Sequence, residues 1–209
     1  MLHTSAPLSA SNTQYAQQLR QGFRWLRFAA PLEAEYRAYG RRNEYPLVLW
    51  FSVICLALWG GYGLFDLWRI DAMALNAAQQ GVLASLRVVR VAVSAAVALL
   101  LVCALWRAPM RVLYACLVLM GIGLSCGAAY AVYAYRLLGV PHETAVLVMI
   151  MVGLFTPFAL HLWAQMAIAV LYLACIGVLA WVAPQPEVQA QMLRLGTELA
   201  LCGVVFGFA

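Results

Sequence analysis

The chain has 209 residues, 66% of them hydrophobic and only 10% charged, and its net charge of +5 comes from thirteen basic residues, all arginine, against eight acids. These proportions exclude an ordinary water-soluble domain, in which about a quarter of residues are charged. The arginines flank apolar blocks and do not gather on a soluble basic domain, which excludes nucleic acid as the partner and points to membrane orientation.

Residues 1–45 are read as a cytoplasmic segment. It holds no apolar core beside a small-residue cleavage site, so no cleavable signal peptide is predicted. Within it, Pro31-Leu-Glu-Ala-Glu-Tyr-Arg-Ala-Tyr-Gly-Arg-Arg42 reads as a short amphipathic helix. Proline suits the first helical position, Glu33 and Glu35 the positive end of the dipole, and Arg41 and Arg42 its negative end. Leu32, Tyr36 and Tyr39 make one apolar stripe, and with Phe23, Trp25 and Phe28 the segment is expected along the inner membrane face.

Residues 46–209 then fall into six apolar blocks. A helix rises about 1.5 Å per residue and the hydrocarbon layer is about 30 Å thick, so about 20 apolar residues make one crossing. The expected crossings are Pro46–Trp68, Ala84–Trp106, Arg111–Tyr135, Thr144–Leu160, His161–Val182 and a sixth from near Leu193. The last block is still apolar at Ala209, as expected of a polypeptide that continues. The fold class is therefore all-α: a six-helix polytopic membrane bundle with a short N-terminal amphipathic helix.

Orientation follows from the arginines. With the amino end inside, inner segments carry eight (Arg20, Arg24, Arg27, Arg37, Arg41, Arg42, Arg107, Arg111) against three acids. Outer segments carry five (Arg69, Arg87, Arg90, Arg136, Arg194) against five acids. Both termini are expected in the cytoplasm.

Charges within crossings are costly and tend to be paired or functional. Asp66 falls near the outer end of the first block; Arg87 and Arg90, spaced i,i+3, fall near the start of the second. The blocks run antiparallel, so a salt bridge across this hairpin is expected, either as a structural clasp or as part of a ligand site. Tyr130, Tyr133, Tyr135, Arg136, His142, Glu143, Arg194 and Glu198 come to the same rim. The candidate site is thus Asp66, Arg87, Arg90, Tyr130, Tyr133, Arg136, Glu143 and Glu198, an outward-facing polar mouth over an apolar bundle. Such a mouth suits a small amphiphilic ligand, although tyrosines at that level also form interfacial belts.

Other chemistry is poorly supplied. Cys55, Cys103, Cys116, Cys126, Cys175 and Cys202 all lie in apolar blocks with no C-x-x-C pair, and read as packing groups. His161 and His142 are expected on opposite membrane faces, so no metal or haem site is predicted. Gly60-Gly61-Tyr62-Gly63 and Gly121-Ile-Gly123 permit close helix contacts. Catalytic motifs are absent, no cofactor is expected, and no inverted repeat suggests a transporter.

Leu26-Arg-Phe-Ala-Ala-Pro-Leu-Glu-Ala-Glu-Tyr-Arg37, Leu58-Trp-Gly-Gly-Tyr-Gly-Leu-Phe-Asp-Leu67 and Leu86-Arg-Val-Val-Arg90 resemble the front of certain bacterial second-messenger enzymes. These are six-helix membrane modules fused to class III adenylate/guanylate cyclase domains or to GGDEF diguanylate cyclase domains. The resemblance covers residues 25 to 90; beyond that only the six-crossing layout agrees, and the GGDEF motif and the cyclase aspartates are absent from the 209 residues. It implies a sensor and anchor in the bacterial inner membrane that forms a homodimer and holds two catalytic domains in register. The rival reading is a stand-alone accessory subunit of a membrane complex, binding lipid, quinone or partner helices.

Overall fold

A computed structural model describes residues 30–70, 73–140 and 162–208, with side chains described over 45–70, 73–140 and 163–203. The chain divides into two compact units, Met1–Glu44 and Tyr45–Ala209. In the first, the described part is helical backbone from Ala30.

Among the described residues there is no strand and there are five helices: α1 Ala30–Ile70, α2 Ala77–Leu105, α3 Met110–Leu138, α4 Leu162–Val182 and α5 Pro186–Phe208. Four are long and apolar enough to cross a membrane, over Tyr45–Ile70, Ala77–Leu105, Met110–Leu138 and Trp163–Val182. The outer surface agrees with that reading. Trp106 is 82% exposed, Trp163 and Trp181 are each 83% exposed, and Trp68 is 75% exposed, a density of bare aromatic surface that water does not tolerate and lipid does.

Helix ends differ from the apolar blocks where local chemistry overrides hydropathy. Pro46 lies inside α1 and does not begin a new helix; its ring forfeits one backbone hydrogen bond, which membrane helices accommodate. α2 starts at Ala77, ahead of Ala84, because Asn76 and Gln79 close a reciprocal capping box. The Asn76 side chain accepts from Gln79 N at 2.9 Å, and the Gln79 side chain accepts from Asn76 N at 3.1 Å. α3 follows Pro109 and stops at Gly139, whose φ of +69° is the left-handed cap that favours glycine. α5 begins at Pro186, ahead of Leu193, with Glu187 in its first turn. The expected crossing Thr144–Leu160 lies outside the described residues.

On α2, Leu83, Leu86, Val93, Val97, Leu100 and Ala104 are buried, alternating three and four residues apart with Arg90 in the same seam. This seam packs on α3, the most enclosed helix, whose Gly127, Ala128, Ala129, Ala131 and Ala134 let neighbours approach closely. A Cβ on Gly127 would stand 2.8 Å from Val93 Cγ2 and 3.3 Å from the Trp59 ring. α4 then packs on α3 through Ala169, Tyr172 and Ile176, and α5 on α4 through Met192, Leu195 and Leu199, all within one apolar cluster with Trp59 and Val93.

Two contacts fix the ends. The Tyr45 hydroxyl donates to Ala108 O at 2.6 Å, which brings the α1 span's start to the α2–α3 turn. At the other end, Arg136 near the close of α3 donates to Gln191 Oε1 on α5, and with Gln185 and Glu187 lines a cavity of about 450 Å³. α3 and α4 therefore run parallel, and Trp68 and Trp181 mark one end of the bundle, Trp106 and Trp163 the other.

Candidate functional site: a buried ionic junction

One stripe of α1, namely Trp59, Gly63, Asp66 and Ile70, repeats at helical spacing and faces α2 and α3. Asp66 is buried on it, between the main apolar cluster around Trp59 and Val93 and a second cluster of Ile70, Leu83, Leu86, Leu138 and Val140. An isolated carboxylate there would be strongly disfavoured. Arg90 on α2 meets it: Nη2 stands 2.7 Å from Asp66 Oδ2, with side-chain exposures of 12% and 8%.

Tyr135 on α3 completes the group. Its hydroxyl accepts from Arg90 Nη2 at 2.5 Å and lies 2.7 Å and 2.6 Å from Asp66 Oδ1 and Oδ2, to which it donates. Both hydrogens of Nη2 are thereby used, and the single phenolic hydrogen is shared by the carboxylate. Trp59 supports the arginine twice. Its ring lies 4.4 Å from the guanidinium carbon, and its Nε1 donates to the Arg90 carbonyl at 3.1 Å. Arg69 adds a second cation beside the junction, 5.5 Å from the Phe65 ring and 5.9 Å from that of Tyr135. Three helices are thus joined by one hydrogen-bonded ion pair inside apolar surroundings.

The other expected site residues are distributed around this junction. Arg87 is exposed, one turn before Arg90, and lines the cleft between α1 and α2 with Asp66 and Arg90. Tyr130 and Tyr133 stack at a tilt, ring centroids 6.1 Å apart, and Tyr133 is buried in the main cluster. Arg136 turns to α5, as described. Glu198 pairs with Arg194 on its own helix at 2.9 Å, on an exposed face; the two do not enter the junction. Glu143, His142 and His161 lie outside the described residues. Among the described residues, no three His, Cys, Asp or Glu side chains group as metal ligands.

Trp59 and Arg69 are partners that sequence reasoning did not single out, and Tyr135, which it brought to the rim, was left out of the candidate site. For two of them the signal was there. Trp59 stands two helical turns before Asp66, and Tyr135 shares a face with Ala131 and Leu138, the face that meets Ile70 and Leu83.

No family model matches the chain, and no curated protein matches it.

Proposed function

We propose that the chain is the membrane-embedded sensory and anchoring domain of a bacterial nucleotide cyclase. In this reading it dimerises in the inner membrane with both termini in the cytoplasm and controls cytoplasmic catalytic domains joined to it or held beside it. The observation that carries the sensory part is the Asp66–Arg90–Tyr135 junction. A buried ion pair gives little stability that apolar residues could not supply, but it fixes one register and is lost outright when the register changes. The cyclase part rests on the resemblance of residues 25 to 90, and three junction residues, Trp59, Asp66 and Arg90, fall in the segments that carry it.

The six-crossing layout is supported by helix direction. α3 and α4 both end where α5 begins, and a fourth crossing between them is what lets consecutive blocks point the same way. The orientation is supported by the arginine count, with the junction placed toward the outside. A ligand there would bias helix packing only by its different affinity for two packings.

The test uses the full-length protein in bacterial membranes. Asp66→Asn and Arg90→Gln are expected to change cyclic-nucleotide output severalfold with insertion unchanged. An amino-terminal tag is expected to be digested in inverted vesicles and protected in spheroplasts. Membranes that make no cyclic nucleotide would refute the cyclase reading and favour an accessory subunit; unchanged output in both variants would leave an anchor without a sensor.

A further inference from the structure

Cys103 stands thirteen residues past Arg90 on α2, about 20 Å along the helix axis, and therefore at the end of the bundle away from the ionic junction. There it meets Cys116 of α3, with the two sulfurs 3.8 Å apart. Cys116 is buried and Cys103 half-buried. Met120, also buried, belongs to the same apolar cluster. It follows Cys116 by four residues and so shares its face of α3. A helical side chain leans toward the amino end of its own helix, which carries the Met120 thioether back toward the level of the two thiols. Three soft sulfur donors from two helices are thus gathered in apolar surroundings, and among the described residues no third His, Cys, Asp or Glu joins the thiols.

That donor set selects its ion. Structural zinc takes four nitrogen, oxygen or thiolate ligands, and calcium and magnesium take oxygen. Thiolate and thioether together suit copper(I). The spacing agrees. With metal–sulfur bonds of about 2.3 Å, sulfurs 3.8 Å apart subtend an angle of about 110° at the ion. This is near the angle of three sulfurs around one centre and far from a linear pair. The geometry asks for a third sulfur, and Met120 is the one at hand.

We propose that Cys103, Cys116 and Met120 form a copper(I) site that clamps α2 to α3. The ion binds as the two thiols release their protons to water. One net negative charge is left, which Arg107 and Arg111, exposed at the same helix ends, offset. Cys103 lies four residues before Arg107, about 6 Å along the chain's helical rise, so the ion arrives from the interface without crossing the bilayer. A second thiol pair, Cys126 and Cys175 between α3 and α4, is the natural rival. It lies ten residues beyond Cys116 on α3, about 15 Å deeper, where a cation is costly. Its polar neighbour is the Tyr172 hydroxyl, a harder donor than a thioether. The site goes beyond the cyclase reading and does not depend on it.

The experiment titrates the purified full-length protein, in detergent micelles with its thiols reduced and oxygen excluded, against copper(I) held by bicinchoninate. The protein should take one equivalent of copper from the chelate, and X-ray absorption at the copper edge should show three sulfur neighbours. Cys103→Ser and Cys116→Ser should each lose at least about a hundredfold in affinity, more than the ten- to hundredfold cost of losing an outer-shell partner. Met120→Leu conserves side-chain volume and so preserves the fold; it should weaken binding by about tenfold or more and lower the sulfur count to two. Cys126→Ser/Cys175→Ser should bind copper as the unmodified protein does. The proposal would be overturned by no transfer from bicinchoninate, by displacement of copper by an equivalent of zinc(II), or by binding that follows Cys126 and Cys175. Unchanged affinity with three sulfurs in Met120→Leu would overturn it as well.

Discussion

Replacing Asp66 by alanine removes the only carboxylate that the structure places against Arg90 among the described residues, and leaves the guanidinium 12% exposed between two apolar clusters. Removing one partner of a buried ion pair costs about 3–5 kcal/mol, because the surviving charge is uncompensated. Arg90 keeps two contacts in the variant, the Tyr135 oxygen at 2.5 Å and the Trp59 ring at 4.4 Å. A desolvated cation–π contact is worth up to about 2 kcal/mol, so a loss near the lower limit, about 3 kcal/mol, is expected. The double replacement Asp66→Leu/Arg90→Met removes both charges with side chains that fit an apolar layer. It should restore stability to within about 1 kcal/mol of the unmodified protein or exceed it. Tyr135→Phe keeps the 2.7 Å pair but loses two hydrogen bonds to charged groups, one donated to Asp66 and one accepted from Arg90, each about 1.5–3 kcal/mol. SDS-driven unfolding in mixed micelles, followed by near-ultraviolet circular dichroism, measures all three. A loss under about 0.5 kcal/mol for Asp66→Ala, the range of solvated surface pairs, would refute the reasoning. So would a double variant less stable than the single one.

Gly127→Ala should destabilise by about 1–3 kcal/mol through overpacking, since its Cβ would meet Val93 Cγ2 at 2.8 Å; Val93→Ala in the same chain should recover most of it, and the same unfolding assay reads both. Asn76→Ala opens the capping box of α2 and should cost about 1 kcal/mol, with faster hydrogen exchange confined to the amides of the first turn. Cys103 Sγ and Cys116 Sγ lie 3.8 Å apart across α2 and α3, so copper–phenanthroline should close an intramolecular disulfide. Intact mass would show the loss of two hydrogens, and Cys116→Ser should abolish it.

Four of the apolar blocks were legible as spanning helices because a bilayer imposes one requirement, length without charge, that composition alone reveals. Helix ends were less so. The start of α2 is set by the Asn76–Gln79 exchange, and that of α5 by Pro186 and Glu187. These polar residues sit ahead of the hydropathy rise, where a search for apolar runs does not look. Asp66 and Arg90 stood out because charge in an apolar run is rare. Tyr135 did not, because a tyrosine near a helix end is equally at home in an aromatic belt. Only the packing of α3 against Ile70 and Leu83 separates it from its neighbour Tyr133.

Apolar contacts between membrane helices gain little over contacts with lipid, so hydrophobicity alone leaves their register weakly determined. The junction supplies what that lacks. Rotating α1 by one residue turns Asp66 about 100° away from Arg90, and the loss is the whole ion pair, not a fraction of a contact. The same helix that carries Tyr135 carries Arg136 next to it, and Arg136 donates to Gln191 on α5. A movement of α3 that frees the phenol from Asp66 therefore also moves the group that ties α3 to α5. Adjacency of this kind is not yet coupling; coupling needs two arrangements that both sites bias. A double-mutant cycle between Tyr135→Phe and Gln191→Ala measures it. Strict additivity would mean that the junction holds the bundle together without speaking to α5, while an interaction energy of about 0.5 kcal/mol or more would mean that α3 moves as one rigid lever between them.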